Sequence, residues 1–214
     1  MSNITNDKVL HYIDELYQPQ NKDLDILRSS AEAREIPIMT KDAEMLLESL
    51  IRIGNPALIL ELGTAIGYSA IFFASISPTA LITTLEISNK MYDEAVLNIE
   101  KAGFSHRIQV LKGNASDLIV DLTADFDLIF IDAAKGHYKL FFDLCLNRAK
   151  QGTIIVSDNI LYKGITACDS FLESRRNKTI MRRMRTYLDY ITHLDCVQTS
   201  ILPVGDGMAI SIVK

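Results

Sequence analysis

The sequence predicts an α/β fold: a doubly wound, mostly parallel, seven-stranded sheet, closed by a C-terminal antiparallel hairpin and preceded by a group of helices. Three observations carry this. Short apolar runs ending in glycine or an acid alternate with segments of helical spacing, as βαβ units require. Residues Ala57 to Ala74, ALILELGTAIGYSAIFFA, pass from a buried strand through a two-glycine turn into a helix. The last two apolar runs flank Pro203-Val204-Gly205-Asp206-Gly207, a connection short enough for a hairpin.

A chain of 214 residues fits one domain, 1–214, with 1–54 as a helical preface and 55–214 as the α/β core. Its net charge of -5 excludes an overall basic coat for nucleic acid and leaves room only for a local patch. Cys145, Cys168 and Cys196 are odd in number and widely spaced, which points to neither a disulfide framework nor a structural zinc site. A reducing cytoplasm is the expected setting, with no membrane association.

The preface reads as three helices. The first, from about Asn6 to Tyr17, places Val9, Leu10, Ile13, Leu16 and Tyr17 on one side and ends before Pro19. The second runs from about Asp23 to Arg34, and Ile36-Pro37 forces extended backbone after it. Thr40 has the character of an N-cap for the third, which reaches about Ile53. The preface could lid a pocket, pair with a second subunit or simply cover one face of the sheet.

In the first strand and turn, Leu58, Ile59 and Leu60 precede Gly63 and Gly67, with Glu61 between. Glycine lets backbone approach a ligand closely, and the helix start offers unpaired N–H groups. The spacing E-x-G-x-x-x-G differs from the G-x-G-x-x-G that wraps a pyrophosphate. It suits a nucleoside without a diphosphate, S-adenosylmethionine foremost, or else a plain strand-to-helix turn. A second strand, Leu81 to Leu85, ends at Glu86, at the distance where a βαβ unit sets a carboxylate over a ribose diol. The ribose-binding role is the favoured one, the alternative being a helix-start acid beside Ser88, before a helix from Lys90 to Lys101. The third strand, Ile108 to Leu111, leads into Gly113-Asn114-Ala115-Ser116-Asp117, a polar turn that offers an edge for adenine.

The fourth strand, Phe126 to Ile131, ends in Asp132-Ala133-Ala134-Lys135-Gly136, followed by a helix from about His137 to Ala149. The fifth, Thr153 to Val156, ends in Ser157-Asp158-Asn159. Parallel neighbours lie ~4.8 Å apart, so Asp132, Asp158 and Asn159 can gather three oxygen donors. Such a set suits a hard cation, Mg²⁺ or another divalent ion; singly, each residue is an ordinary turn or cap residue. After a loop from Leu161 to Ser170, a helix from Phe171 to Tyr190 carries Arg175, Arg176, Lys178, Arg182, Arg183 and Arg185 against only Glu173 and Asp189. This is either a solvated helix face or a surface for phosphates. The closing strands are Val197 to Leu202 and Met208 to Val213.

Together these motifs resemble the metal-dependent, S-adenosylmethionine-dependent O-methyltransferases of the catechol and caffeoyl-coenzyme A type, from Ile36-Pro37-Ile38-Met39-Thr40 to Gly205-Asp206-Gly207-Met208-Ala209-Ile210. The runs GTAIGYSAI, FIDAAKG, DNILYKG and PVGDGMAIS are most similar to the bacterial members that methylate 5-hydroxyuridine in the tRNA anticodon loop. The resemblance implies a Rossmann-like methyltransferase sheet, a homodimer and a tRNA substrate. It implies that Met39 and Thr40 touch the cofactor, Glu61 and Gly63 line its amino-acid end, and Ser69 holds its carboxylate. It further implies Glu86 on the ribose, Ala115 and Ser116 beside adenine, Asp132, Asp158 and Asn159 as metal ligands, and Lys135 as the base. Where the catechol type has bulky residues after its first metal aspartate, this chain has Ala133 and Ala134, which removes a stacking surface for a small aromatic and makes room for a nucleotide. The rival readings are a small-molecule catechol or caffeoyl-type enzyme, an NAD-dependent oxidoreductase or nucleotide-binding module, and a non-enzymatic interaction protein. The missing G-x-G-x-x-G weighs against the NAD reading.

Overall fold

The computed structural model describes residues 4–168 and 175–214, with the side chains of 175–177 left aside. The strands are β1 (Leu58–Leu62), β2 (Leu81–Glu86), β3 (Ile108–Lys112), β4 (Phe126–Ile131), β5 (Ala149–Ser157), β6 (Val197–Leu202) and β7 (Met208–Val213). They form one sheet in the order β3-β2-β1-β4-β5-β7-β6. Strands β1 to β5 run parallel, and β7 lies antiparallel between β5 and β6, so the expected sheet and hairpin are both present.

Helices cover both faces. One layer holds α2 (Lys22–Ala33), α3 (Lys41–Gly54), α4 (Tyr68–Ile76) and α5 (Asn89–Lys101); the other holds α6 (Ala115–Asp121), α7 (Tyr138–Leu146) and α8 (Arg175–Thr192). Strand β4 shows why its sequence is apolar throughout. Leu128 and Phe130 enter the first layer, whereas Ile129 and Ile131 enter the second. Among the described residues, no helix is long and apolar enough to cross a membrane.

The preface covers a sheet face through α2 and α3, which meet α4 around a buried polar cluster. Arg28 donates to the Met39 carbonyl at 3.0 Å, to Tyr68 at 3.2 Å and to Glu44, whose carboxylate also accepts from Tyr17 and Tyr68. A guanidinium desolvated this far would be costly without such partners. The first helix, α1 (Asp7–Leu16), has no buried residue: Leu10, Ile13 and Tyr17 of the expected apolar side are half-buried, while Val9, Leu16 and the neighbouring Tyr12 are exposed.

Several boundaries differ from sequence expectation. The segment after β4 opens with a 3₁₀ turn, Lys135–His137, and α7 stops at Leu146 rather than near Ala149. The chain turns there because the Arg148 side chain is held by the Ile119 and Val120 carbonyls, and Ala149 pairs with Phe126 as the start of a longer β5. Thr40 occupies the N-cap position of α3 but makes no capping hydrogen bond; the Asp42 carboxylate instead accepts from Gly205 N at 2.8 Å. The basic helix is described from Arg175 onward, and its expected first turn, 171–174, lies outside the described residues.

Phe130 is 1% exposed and meets Phe73 edge-on at 5.5 Å, so Phe130→Ala should cost about 3–5 kcal/mol in urea unfolding. The same measurement on Ile53→Ala, at a position 84% exposed, should stay within about 0.5 kcal/mol.

Candidate active site

The carboxyl ends of β1, β2, β3 and β4 open on a cavity of about 800 Å³. Its wall combines Gly63, Glu86, Ala115, Ser116 and Asp132 with Ile36 and Pro37 from the preface and Phe141 from α7. Gly63 is the closest point between the β1 and β4 ends. It sits at φ +100°, and a Cβ there would collide with the Asp132 carbonyl oxygen. Only glycine allows both that backbone conformation and that approach.

Beneath the turn lies Glu61, fully buried, with its carboxylate accepting from Ser69 and, at 2.6 Å, from Thr84. Burial pushes its pKa up to about 8, and the neighbouring charges of Asp132 and Glu86 add to this against the two hydroxyl donors. Glu86, at the end of β2, accepts from Ala65 N at 2.9 Å and Ser88 N at 2.8 Å, which fixes its carboxylate at the cavity edge. Ser116 donates to Asn114 Oδ1, the cap of α6, at 2.9 Å, so Ala115 and Ser116 form the first turn of that helix. Met39 is buried, its carbonyl accepting from Arg28, and Thr40 is exposed; neither lines the cavity wall.

At the next strand ends, Asn159 Nδ2 donates to Asp132 Oδ1 at 2.8 Å, and Asp158 Oδ1 accepts from Asn159 N at 2.6 Å. Strand pairing Ile131↔Ser157 sets the two aspartates side by side. Burial raises the pKa of both, Asp158 being driven further by the charge of Asp132. Among the described residues no group of three or more His, Cys, Asp or Glu has metal-holding geometry; this set is two carboxylates and an amide. Two neighbouring carboxylates, Asp158 buried and Asp132 half-buried, beside the Asn159 side-chain amide nevertheless fit a hard divalent cation, which would relieve their repulsion.

Lys135 Nζ lies 3.9 Å from Asp206 Oδ2 and 4.7 Å from the centroid of the Tyr162 ring. Asp206 accepts from Lys163 N, and Leu161 N donates to its carbonyl at 2.9 Å, so the β6–β7 connection clasps the loop after Asn159. Asp206 and Tyr162 had no assigned part in the sequence reading. The Gly205-Asp206-Gly207 signal was visible, but only the fold brings it to Lys135, which is distant in sequence. Non-glycine residues with positive φ gather here, at Asn159 (59°), Tyr162 (45°) and Lys163 (56°), and Ala65 (46°) in the glycine turn is another. Such strain concentrates at functional sites.

The basic face of α8 flanks this end. Lys178, Arg182 and Arg183 are exposed, Arg183 donates to the Gly136 carbonyl at 3.3 Å, and Arg185 to the Thr166 carbonyl at 2.7 Å. The side chains of Arg175 and Arg176 lie outside the described residues. A groove of about 430 Å³ runs between α8 and the 3₁₀ turn, lined by Lys135, Lys139, Arg182 and Arg183 among others.

A doubly wound sheet with a glycine turn and an acidic cluster at adjacent strand ends is the class of fold that binds ligands at the carboxyl ends of its strands. The family model for O-methyltransferases matches residues 17–214, and the chain belongs to that family. It is 31% identical to a catechol O-methyltransferase of Niastella koreensis, each chain covered over 100%. Caffeoyl-CoA O-methyltransferase 1 of Arabidopsis thaliana is 27% identical, over 97% of this chain and 85% of the plant protein. A Staphylococcus aureus protein provisionally assigned as a caffeoyl-CoA O-methyltransferase superposes with a TM-score of 0.92 at 34% identity, covering 97% of this chain and 100% of that one. The Bacillus cereus O-methyltransferase, solved in complex with SAH, gives 0.83 at 28% identity, with 97% of each chain covered.

Because the Glu61 pKa rises from 4.5 to about 8 on folding, the unfolded chain releases this proton first. Its contribution to stability is full below pH 4.5 and declines as pH rises toward about 8. Urea unfolding between pH 5 and pH 8 should therefore show a shallower loss of stability in Glu61→Gln than in the wild type.

Proposed function

We propose that the protein is an S-adenosylmethionine-dependent O-methyltransferase of the catechol and caffeoyl-coenzyme A type, acting on a hydroxylated aromatic acceptor. One observation carries the reading: the Glu61–Gly63 turn and the Asp132, Asp158 and Asn159 cluster stand at neighbouring strand ends. The names of the similar proteins and the SAH held by the Bacillus cereus structure support it.

In this reading Glu61 meets the cofactor's ammonium, Ser69 its carboxylate, Glu86 the ribose diol, and Ala115 with Ser116 the adenine edge. Met39 and Thr40 act from the preface, beside Asp42, whose carboxylate holds the β6–β7 connection at Gly205 N. Asp132, Asp158 and Asn159 would hold Mg²⁺ or another divalent cation. When bound there, such an ion acts as a Lewis acid that favours the ionised acceptor hydroxyl. Lys135, acting as a neutral amine, receives the hydroxyl proton and becomes the ammonium. The acceptor oxygen then forms a bond to the methyl carbon as the carbon–sulfur bond breaks, and the sulfur leaves with the electron pair as a neutral thioether. Alignment of oxygen, carbon and sulfur is the chief contribution of the walls, worth up to ~7–11 kcal/mol in well-oriented intramolecular cases.

A second reading, 5-hydroxyuridine in the tRNA anticodon loop, is favoured by the basic groove beside Lys135 and by the small Ala133 and Ala134. Phosphodiesters would lie along Lys178, Arg182 and Arg183. For both readings the setting proposed is the cytoplasm and the assembly a homodimer, for which the exposed apolar side of α1 offers a contact.

Methyl transfer to catechol, to caffeoyl-coenzyme A and to tRNA from cells lacking this gene, each followed by mass spectrometry, tests the acceptor. A phenolic product with unmodified tRNA supports the first reading, and 5-methoxyuridine supports the second. Arg182→Glu with Arg183→Glu should abolish tRNA methylation and spare a catechol. Chelator and Asp158→Ala should each lower activity by at least about tenfold; undiminished activity in chelator would exclude the cation.

A further inference from the structure

Two tyrosines hold the acceptor end of the site from behind. Tyr138, 1% exposed at the start of α7, donates its hydroxyl to the backbone carbonyl of Asp158 at 2.8 Å. Tyr187, equally buried on α8, shares a 2.6 Å hydrogen bond with the Ser157 hydroxyl. Their rings meet edge-on with centroids 5.6 Å apart. A phenylalanine would fill the same space, so each buried phenol's distinguishing feature is its hydrogen bond.

Those two bonds fall on consecutive residues where β5 leaves the sheet. Asp158 N still donates to the Ile131 carbonyl at 3.0 Å, and at Asn159 the backbone turns to φ 59°. A non-glycine residue in that region costs ~1–3 kcal/mol and persists only where its surroundings enforce it. From the other side, Arg185 of α8 grips the Thr166 carbonyl, and Thr166 Oγ1 donates to the Ile160 carbonyl at 2.9 Å. Helix α8 thus reaches the turn that carries Asp158 and Asn159 from both ends.

We propose that Tyr138 and, through Ser157, Tyr187 are positioning residues that fix the end of β5 and so aim the Asp158 carboxylate and the Asn159 amide at a shared cation. This rests on the reading of Asp132, Asp158 and Asn159 as cation ligands. Neither tyrosine lines the cavity at the carboxyl ends of β1 to β4; they hold the backbone from which two ligands project.

Mn²⁺ serves as the probe, its binding followed by loss of the free-ion EPR signal in wild type, Tyr138→Phe and Tyr187→Phe, with SAH affinity measured calorimetrically without metal. Tyr138→Phe should weaken Mn²⁺ binding by about 10–100-fold, as loss of an outer-shell partner does. Tyr187→Phe should shift it in the same direction by less. SAH affinity should change by less than about twofold, because the cofactor half of the site is not held by these bonds. Mn²⁺ affinity at the wild-type level in Tyr138→Phe would overturn the proposal, as would parallel weakening of Mn²⁺ and SAH, the mark of general loosening. If a phenylalanine variant does not fold, Ser157→Ala removes the Tyr187 bond alone and is read by the same criteria. A wild type that takes up no Mn²⁺ would overturn the cation site itself and the positioning role with it; a wild type that binds the ion normally alongside an equally tight Tyr138→Phe would overturn the positioning role only.

Discussion

The close approach of β1 and β4 at their carboxyl ends is the constraint on which the site depends. Asp132 N donates to the Leu62 carbonyl at 3.0 Å, and Gly63 lies so near the Asp132 carbonyl that no side chain fits between them. This contact joins the two halves of the pocket. On one side the chain turns into α4 and carries Glu61 and Ser69; on the other it brings Asp132 beside Asp158 and Asn159. The sheet's parallel order then adds Asp158 and Asn159 from β5 without any further device.

Around that contact the molecule maintains unfavourable electrostatics. Glu61, Asp132 and Asp158 are carboxylates whose surroundings all raise their pKa, because burial removes water from charges that also repel one another. Buried carboxylates of this kind are tolerated where a cationic partner is to arrive. A sulfonium cofactor bearing an ammonium and a divalent ion would meet that need at the two ends. The strained backbone at Asn159 and Tyr162 is held by the clasp between the β6–β7 connection and the loop beyond Asn159, whereas Ala65 N donates to the Glu86 carboxylate at the end of β2.

The preface and the last long helix are more than covering. Arg28 ties α2 and α3 to Tyr68, one residue before Ser69, so the preface wall at Ile36 and Pro37 is registered against the glycine turn. Helix α8 buries Met184, Tyr187 and Ile191 at helical spacing and leaves Lys178, Arg182 and Arg183 outward. One face packs against the end of β5, while the opposite face carries the exposed bases.

The sequence by itself determined the periodicities and the punctuation. Alternation of buried strands with amphipathic helices gave the fold class, and glycine or acid at each strand end marked the side of the sheet that carries the site. Glu61-x-Gly63, Asp132 and Asp158-Asn159 were legible because parallel strands must end together, which turns separate motifs into one cluster. The partnerships of Lys135 with Asp206 and Tyr162, the reach of Tyr138 and Tyr187 to the end of β5, and the distance of Met39 and Thr40 from the cavity wall were decided only by the tertiary structure. Each depends on segments far apart in the chain, and no local pattern of residues encodes which side chain will face another once both are packed. The same holds for the start of β5 at Ala149, where pairing with Phe126 overrode a polar local sequence.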